Sequence, residues 1–167
     1  GILGWQEATV MPGAPDNFQY TEPNMTIRPD GTPVIGFRSQ TGHLFASTTD
    51  DNGATWSTPR KTNFPDSTSR FFLRTLPGGP AIMINNPNAT QYDRSVLALS
   101  TSDDGITFNR SAALRNDPTT QRFGGDRKVD GWQYPNALVW NETVFVAYSI
   151  NKEDIAVTRI PMDSLRA

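Results

Sequence analysis

Two stretches decide how this chain reads: Thr49-Asp50-Asp51-Asn52-Gly53-Ala54-Thr55-Trp56, and Thr101-Ser102-Asp103-Asp104-Gly105-Ile106-Thr107-Phe108, which begins 52 residues later. Aligned, they share Thr49/Thr101, Asp51/Asp103, Gly53/Gly105, Thr55/Thr107 and the aromatic pair Trp56/Phe108. The residue types suit a tight turn between antiparallel strands. An Asp accepts backbone N–H bonds across the turn, a Gly takes a positive φ, and an aromatic side chain anchors the turn on the core. One such turn is common in β proteins. Two in register point to a repeated structural unit.

The sequence on either side repeats as well. Ahead of the first turn, residues 25–28, 33–38 and 43–48 read as strands, with Pro29-Asp30-Gly31 as the hairpin turn between the first two. Ahead of the second, residues 70–76, 81–85 and 95–100 repeat the order around Pro77-Gly78-Gly79. In each unit a short further strand follows the turn, ending near residues 59 and 110. A third unit supplies 134–140, 144–150 and 155–160 without the Asp/Gly turn. The expected architecture is all-β: about three four-stranded antiparallel blades, over 22–59, 70–110 and 132–162, of a β-propeller. Residues 1–20 read as a lone strand and a connecting loop.

Propellers close with four to eight blades, so three leave two faces uncovered. Val34, Ile35, Phe37, Phe71, Phe72, Ile82, Met83, Ile84, Val144, Phe145 and Val146 are expected to line those faces. The chain, 1–167, is therefore read as part of a larger propeller. Its partners are expected to be the remaining blades or a second copy.

Composition narrows the chemistry. With 15 basic and 17 acidic residues the net charge is −2, which gives no reason to expect a nucleic-acid surface. Cysteine is absent and His43 is the one histidine. Disulfides and thiolate metal sites are excluded, a histidine-based metal site or Ser-His triad is disfavoured, and no metal or other cofactor is expected. No apolar run has the length of a membrane span. Four N-x-[ST] sequons, at Asn24, Asn88, Asn109 and Asn141, point to a secreted or lumenal glycoprotein.

The paired turns resemble the Asp-box of sialidases and related propellers, and the surrounding residues extend the likeness from Glu22 to about residue 160. Glu22-Pro23, followed by a strand, Asp30-Gly31 and a strand ending in Arg38, resembles a segment of the sialidase catalytic half. Asn86-Pro87 leading to Arg94, and Tyr134-Pro135-Asn136-Ala137-Leu138, are similar to the stretches that carry another arginine and the catalytic tyrosine. The resemblance implies the C-terminal half of a six-bladed domain acting on terminal acidic sugars. Arg38 and Arg94 would be two of three arginines holding the substrate carboxylate, through bidentate bonds that lysine cannot match. Sialidases use a tyrosine nucleophile. A phenol with a pKa near ~10 needs a neighbouring base, a role that falls to Glu22 beside Tyr134.

The sequence also departs from that pattern. Pro135 stands where Tyr-Ser is the commoner start. No counterpart of the first triad arginine precedes Glu22, and Asp16 lacks the context of the acid that protonates the leaving group. Without that acid, catalysis falls typically by about 10²–10⁴-fold, so the chain by itself is expected to be inactive. The alternative reading is a non-catalytic Asp-box propeller serving as an extracellular glycan-binding or structural module. Arg70, Arg74 and Arg127 read as surface residues.

Overall fold

The computed structural model describes residue 4 and residues 21–166. The strand and loop expected over residues 1–20, including Asp16, lie outside the described residues. Among the described residues eleven strands form three sheets, in each of which consecutive strands are antiparallel neighbours. β1 (Thr21–Ile27), β2 (Pro33–Arg38), β3 (His43–Thr48) and β4 (Arg60–Pro65) form one sheet in that order. β5 (Phe72–Thr75), β6 (Ala81–Asn85), β7 (Leu97–Ser102) and β8 (Arg110–Arg115) form the second. β9 (Trp132–Trp140), β10 (Thr143–Ile150) and β11 (Asp154–Pro161) form the third, and a 3-10 turn, Met162–Leu165, follows.

The all-β blade architecture is therefore present, with two differences. The third sheet has three strands among the described residues, against an expected four. The last strands of the first two sheets begin after the Asp/Gly turns, at Arg60 and Arg110, so these sheets run to residues 65 and 115. Trp56 and Phe108 close the turns and do not start strands. Both outer strands are largely polar and exposed, Arg60-Lys61-Thr62-Asn63 and Arg110-Ser111-Ala112-Ala113, and so lack the alternation that marks a half-buried strand.

The middle sheet is covered on both faces, and every residue of β6 and β7 is buried. Against the first sheet it packs Phe71, Leu73, Met83 and Phe108 on Val34, Leu44 and Phe64. The Phe64 and Phe108 rings meet edge-on at 5.6 Å. Against the third sheet it packs Ile82, Ile84, Leu97 and Leu99 on Trp132, Val144, Val146 and Tyr148. Thus most apolar residues expected on open faces fill the two inter-sheet cores instead. Alternation explains the reversal, since each strand sends successive side chains to opposite faces. Among the described residues an exposed apolar face lies on the far side of the third sheet, where Leu138, Trp140, Ile155 and Val157 are 53–75% exposed and Trp140 lies 6.2 Å from Phe145.

Polar bonds hold neighbouring sheets together at their innermost strands. The Thr75 N–H donates to Thr26 Oγ1 at 2.8 Å, and Asn24 Nδ2 donates to the Phe71 carbonyl at 3.3 Å. The meander sorts the loops into two ends. The hairpin turns and both Asp/Gly turns lie at one end. At the other lie the starts of β1, β3, β5, β7 and β9 and the ends of β2, β6 and β10.

Candidate functional site

The two Asp/Gly turns differ by one residue. In the first, Thr49 Oγ1 donates to Asp51 Oδ1 at 2.7 Å and accepts the Gly53 N–H at 2.9 Å. Asp51 also accepts the Thr55 N–H at 2.8 Å and the Thr55 hydroxyl at 2.6 Å. The Thr55 bonds lead in holding its pKa down to about 2. In the second turn the bonds run through Ser102 and Asp104, where Thr101 and Asp103 were expected. Ser102 Oγ accepts the Gly105 N–H at 2.9 Å, and Asp104 Oδ1 accepts the Ile106 and Thr107 N–H groups at 2.8 and 2.6 Å. Burial opposes the Asp104 charge, but the bonds from Thr107, Ile106 and Ser102 outweigh it and hold the pKa at about 2. Asp103 points outward and makes a 3.7 Å ion pair with Arg110, whose Nε donates to Thr101 Oγ1. Arg28 Nε donates to the Asp104 carbonyl at 2.7 Å, tying this turn to the first sheet.

The expected catalytic and substrate-binding residues gather at the opposite end. Glu22 and Tyr134 occupy equivalent places, near the starts of the inner strands β1 and β9, each just before a proline. Both have positive φ, 49° and 56°, and both stand at interruptions of the strand register. Such bulges re-aim side chains, and residues held in the left-handed region are often functional.

The four residues pair two by two. Arg38 Nη1 donates to Glu22 Oε2 at 2.6 Å. Arg94 is buried between β6 and β7, and its guanidinium lies 5.4 Å from the centre of the Tyr134 ring. The Lys152 ammonium lies 5.3 Å from the same ring. Arg94 Nε donates to Ser69 Oγ at 3.1 Å and Nη1 donates to Gln133 Oε1. Among the described residues no hydrogen bond joins the Tyr134 hydroxyl to Glu22, whose carboxylate is instead bonded to Arg38.

Sequence reasoning missed the residues beneath these pairs. Asp66, Ser67, Thr68 and Ser69, between β4 and β5, are all buried, as are Asn85, Asn86 and Gln133. Asp66 Oδ1 accepts from Asn85 Nδ2 at 3.2 Å and Oδ2 accepts the Ser69 N–H at 3.2 Å. Burial pushes its pKa up to about 6, against the opposing pull of those bonds and of Arg38. No signal in the sequence marked them, because Asp66-Ser67-Thr68-Ser69 reads as an ordinary polar loop. Arg70, Arg74 and Arg127 are exposed, in keeping with their reading as surface residues. Among the described residues no group of three or more His, Cys, Asp or Glu side chains could hold a metal, and no helix is long and apolar enough to cross a membrane.

Of the sequons, Asn109 and Asn141 have exposed side chains, Asn141 in the β9–β10 turn. Asn24 lies within β1, bonded to Phe71, and Asn88 donates to Asp93 Oδ2.

The family model of the BNR repeat-like domain matches residues 1–146, and the chain belongs to that family. Its architecture is the propeller fold of sialidases. A protein titled simply sialidase superposes with a TM-score of 0.70 and 29% identity, over 86% of this chain and 13% of its own. The intramolecular trans-sialidase of Ruminococcus gnavus gives 0.61 at 14% identity, over 93% of this chain and 34% of its own. The α-L-arabinofuranosidase of Fusarium graminearum gives 0.61 at 13% identity, over 89% and 48%. The chain thus spans less than half the length of each. No curated protein matches it.

Proposed function

We propose that this chain is part of a sialidase-like glycoside hydrolase domain that acts on terminal acidic sugars, and that further blades complete it. The observation that carries the reading is that Glu22, Arg38, Arg94 and Tyr134 all lie at the end opposite the Asp-boxes, with Glu22 and Tyr134 both at bulged, positive-φ positions. In this reading Arg38 and Arg94 hold the substrate carboxylate. That carboxylate competes with Glu22 for Arg38 and frees Glu22 to act as base. Glu22 then takes the phenol proton as the Tyr134 oxygen bonds to the anomeric carbon and the glycosidic C–O bond breaks. The departing oxygen takes its proton from an acid that no residue described above supplies.

The bond between Glu22 and Arg38 also favours a second reading, a glycan-binding propeller in which that pair is permanent. Both readings place the protein outside the cell or in a lumen, as a glycoprotein. The complete protein, assayed with 4-methylumbelliferyl N-acetylneuraminic acid, separates them. Hydrolysis that Tyr134→Phe abolishes supports the enzyme. Binding of N-acetylneuraminic acid without hydrolysis, lost in Arg94→Ala, supports the binding module.

A further inference from the structure

The link between β4 and β5 is built unlike a connecting loop, which normally runs over the surface. Asp66, Ser67, Thr68 and Ser69 are each 3% exposed or less. Their backbone groups are bonded to two other links, β2–β3 and β6–β7. The Asp66 N–H donates to the Gly42 carbonyl at 3.0 Å, the Ser67 N–H to the Asn86 carbonyl at 3.1 Å, and the Ser67 carbonyl accepts the Tyr92 N–H at 2.7 Å. Thr68 is held at φ 61°, where a β-branched residue is an outlier, and its buried hydroxyl has no partner. Such strain persists only where the surroundings over-determine it, and it clusters at functional sites.

This segment also joins the two arginines of the site. Ser69 Oγ accepts Arg94 Nε at 3.1 Å, and the Ser69 N–H donates to Asp66 Oδ2 at 3.2 Å. Asn85, from β6, donates to the other oxygen of Asp66. Arg38, from β2, is the cation whose charge acts on Asp66. His43, which opens β3 and pairs with Pro65, is a further titratable group on an element packed against this segment. Arg38 in turn carries Glu22, from β1.

We propose that Asp66 and Ser69 are positioning residues of the anion site: Ser69 sets the plane of Arg94, Asp66 fixes Ser69, and the charge of Asp66 tunes the grip of both arginines on a ligand carboxylate. The proposal rests on the reading of Arg38 and Arg94 as a carboxylate site. An ionised Asp66 competes with the ligand for the field of the guanidiniums, and a protonated one does not. Since burial places its titration near pH 6, anion affinity is higher at pH 5 than at pH 7.

The test is calorimetric titration of the complete protein with N-acetylneuraminic acid and with its uncharged methyl ester, at pH 5 and pH 7. The wild type is expected to prefer the acid and to bind it about three- to tenfold more tightly at pH 5. Asp66→Asn is expected to remove that pH step. Ser69→Ala is expected to weaken acid binding about tenfold with little change for the ester, and Ser69→Thr to restore it. Melting curves confirm that each variant is folded. A pH step retained in Asp66→Asn, or equal effects of Ser69→Ala on acid and ester, overturns the proposal and leaves the carboxylate site standing. A wild type that does not prefer the acid overturns the carboxylate site itself, and this inference with it.

Discussion

The Gly131 backbone passes so close to Arg94 that a Cβ built on Gly131 would lie 2.0 Å from the Arg94 carbonyl oxygen. The two residues form an isolated parallel bridge, and the neighbouring Trp132 N–H donates to that same carbonyl at 2.9 Å. Gly131 also has φ 119°, a conformation that side chains disfavour. The backbone of a candidate substrate-binding arginine is therefore set by a glycine immediately before β9. Gly131→Ala must push the two segments apart or distort the turn, and should cost about 2–4 kcal/mol. Urea denaturation measures this, and a change below about 0.5 kcal/mol would refute the tight approach.

The second Asp-box gives a sharper contrast, because two adjacent aspartates have different surroundings. Asp104→Ala removes the acceptor for two backbone N–H groups and should lower stability by about 1–2 kcal/mol. Asp103→Ala loses only an exposed ion pair with Arg110 and should stay within about 0.5 kcal/mol of wild type. If the two variants melt in the reverse order, the hydrogen bonds assigned to Asp104 are wrong.

That one-residue difference shows how far the sequence can be read. Thr101-Ser102 and Asp103-Asp104 each offer two chemically similar candidates, so residue type alone leaves the turn ambiguous by one position. The structure uses the Asp that directly precedes Gly105. The blade repeat was legible because turns and apolar alternation are local properties, whereas the outer strands β4 and β8, being polar edges, carry no such pattern. At the site the residue types of Glu22, Arg38, Arg94 and Tyr134 stood out, but their pairing did not, since it depends on how three sheets meet. Asp66 was invisible for a different reason. Its burial comes from Gly42, Asn85 and Asn86, residues distant in sequence, and a polar run taken alone reads as solvent-facing.

Asp66 should leave a mark on stability as well as on binding. Its folded pKa, about 6, is raised above the ordinary carboxylate value. Between about pH 4 and 6 the folded protein holds a proton that the unfolded chain has released, so this group makes stability fall as pH rises through that window. Asp51 and Asp104, held near 2, act in the opposite sense and below about pH 4. Asp66→Asn should therefore flatten the decline between pH 4 and 6 and leave the acid limb unchanged. Chemical denaturation at half-unit pH steps reads this directly, and an unaltered slope in the variant would count against a buried, proton-holding Asp66.

Glycan occupancy should divide the sequons by structure. Asn109 and Asn141 present exposed side chains and should be modified on secretion from a eukaryotic host. Asn24 is engaged within β1 and Asn88 with Asp93, and both should remain bare. Enzymatic deglycosylation in heavy-oxygen water followed by peptide mass spectrometry gives each site separately. A glycan on Asn24 would be incompatible with its bond to Phe71 and with the pairing of β1 and β2 around it.

The far side of the third sheet distinguishes a completed propeller from an open one. Leu138, Trp140, Phe145 and Val157 lie on that face, and Trp140 is 67% exposed within this chain. Burying one such side chain is worth about 1.5–3 kcal/mol. If further blades cover the face, Trp140→Glu places a charge in a new core and should destabilise the complete protein by about 3 kcal/mol or more. In the 167-residue chain alone the same change meets water. There it should leave the melting temperature nearly unaltered and suppress concentration-dependent association in sedimentation. Equal, negligible effects in both forms would mean that this face is open to solvent in the complete protein too, and that its closure lies elsewhere.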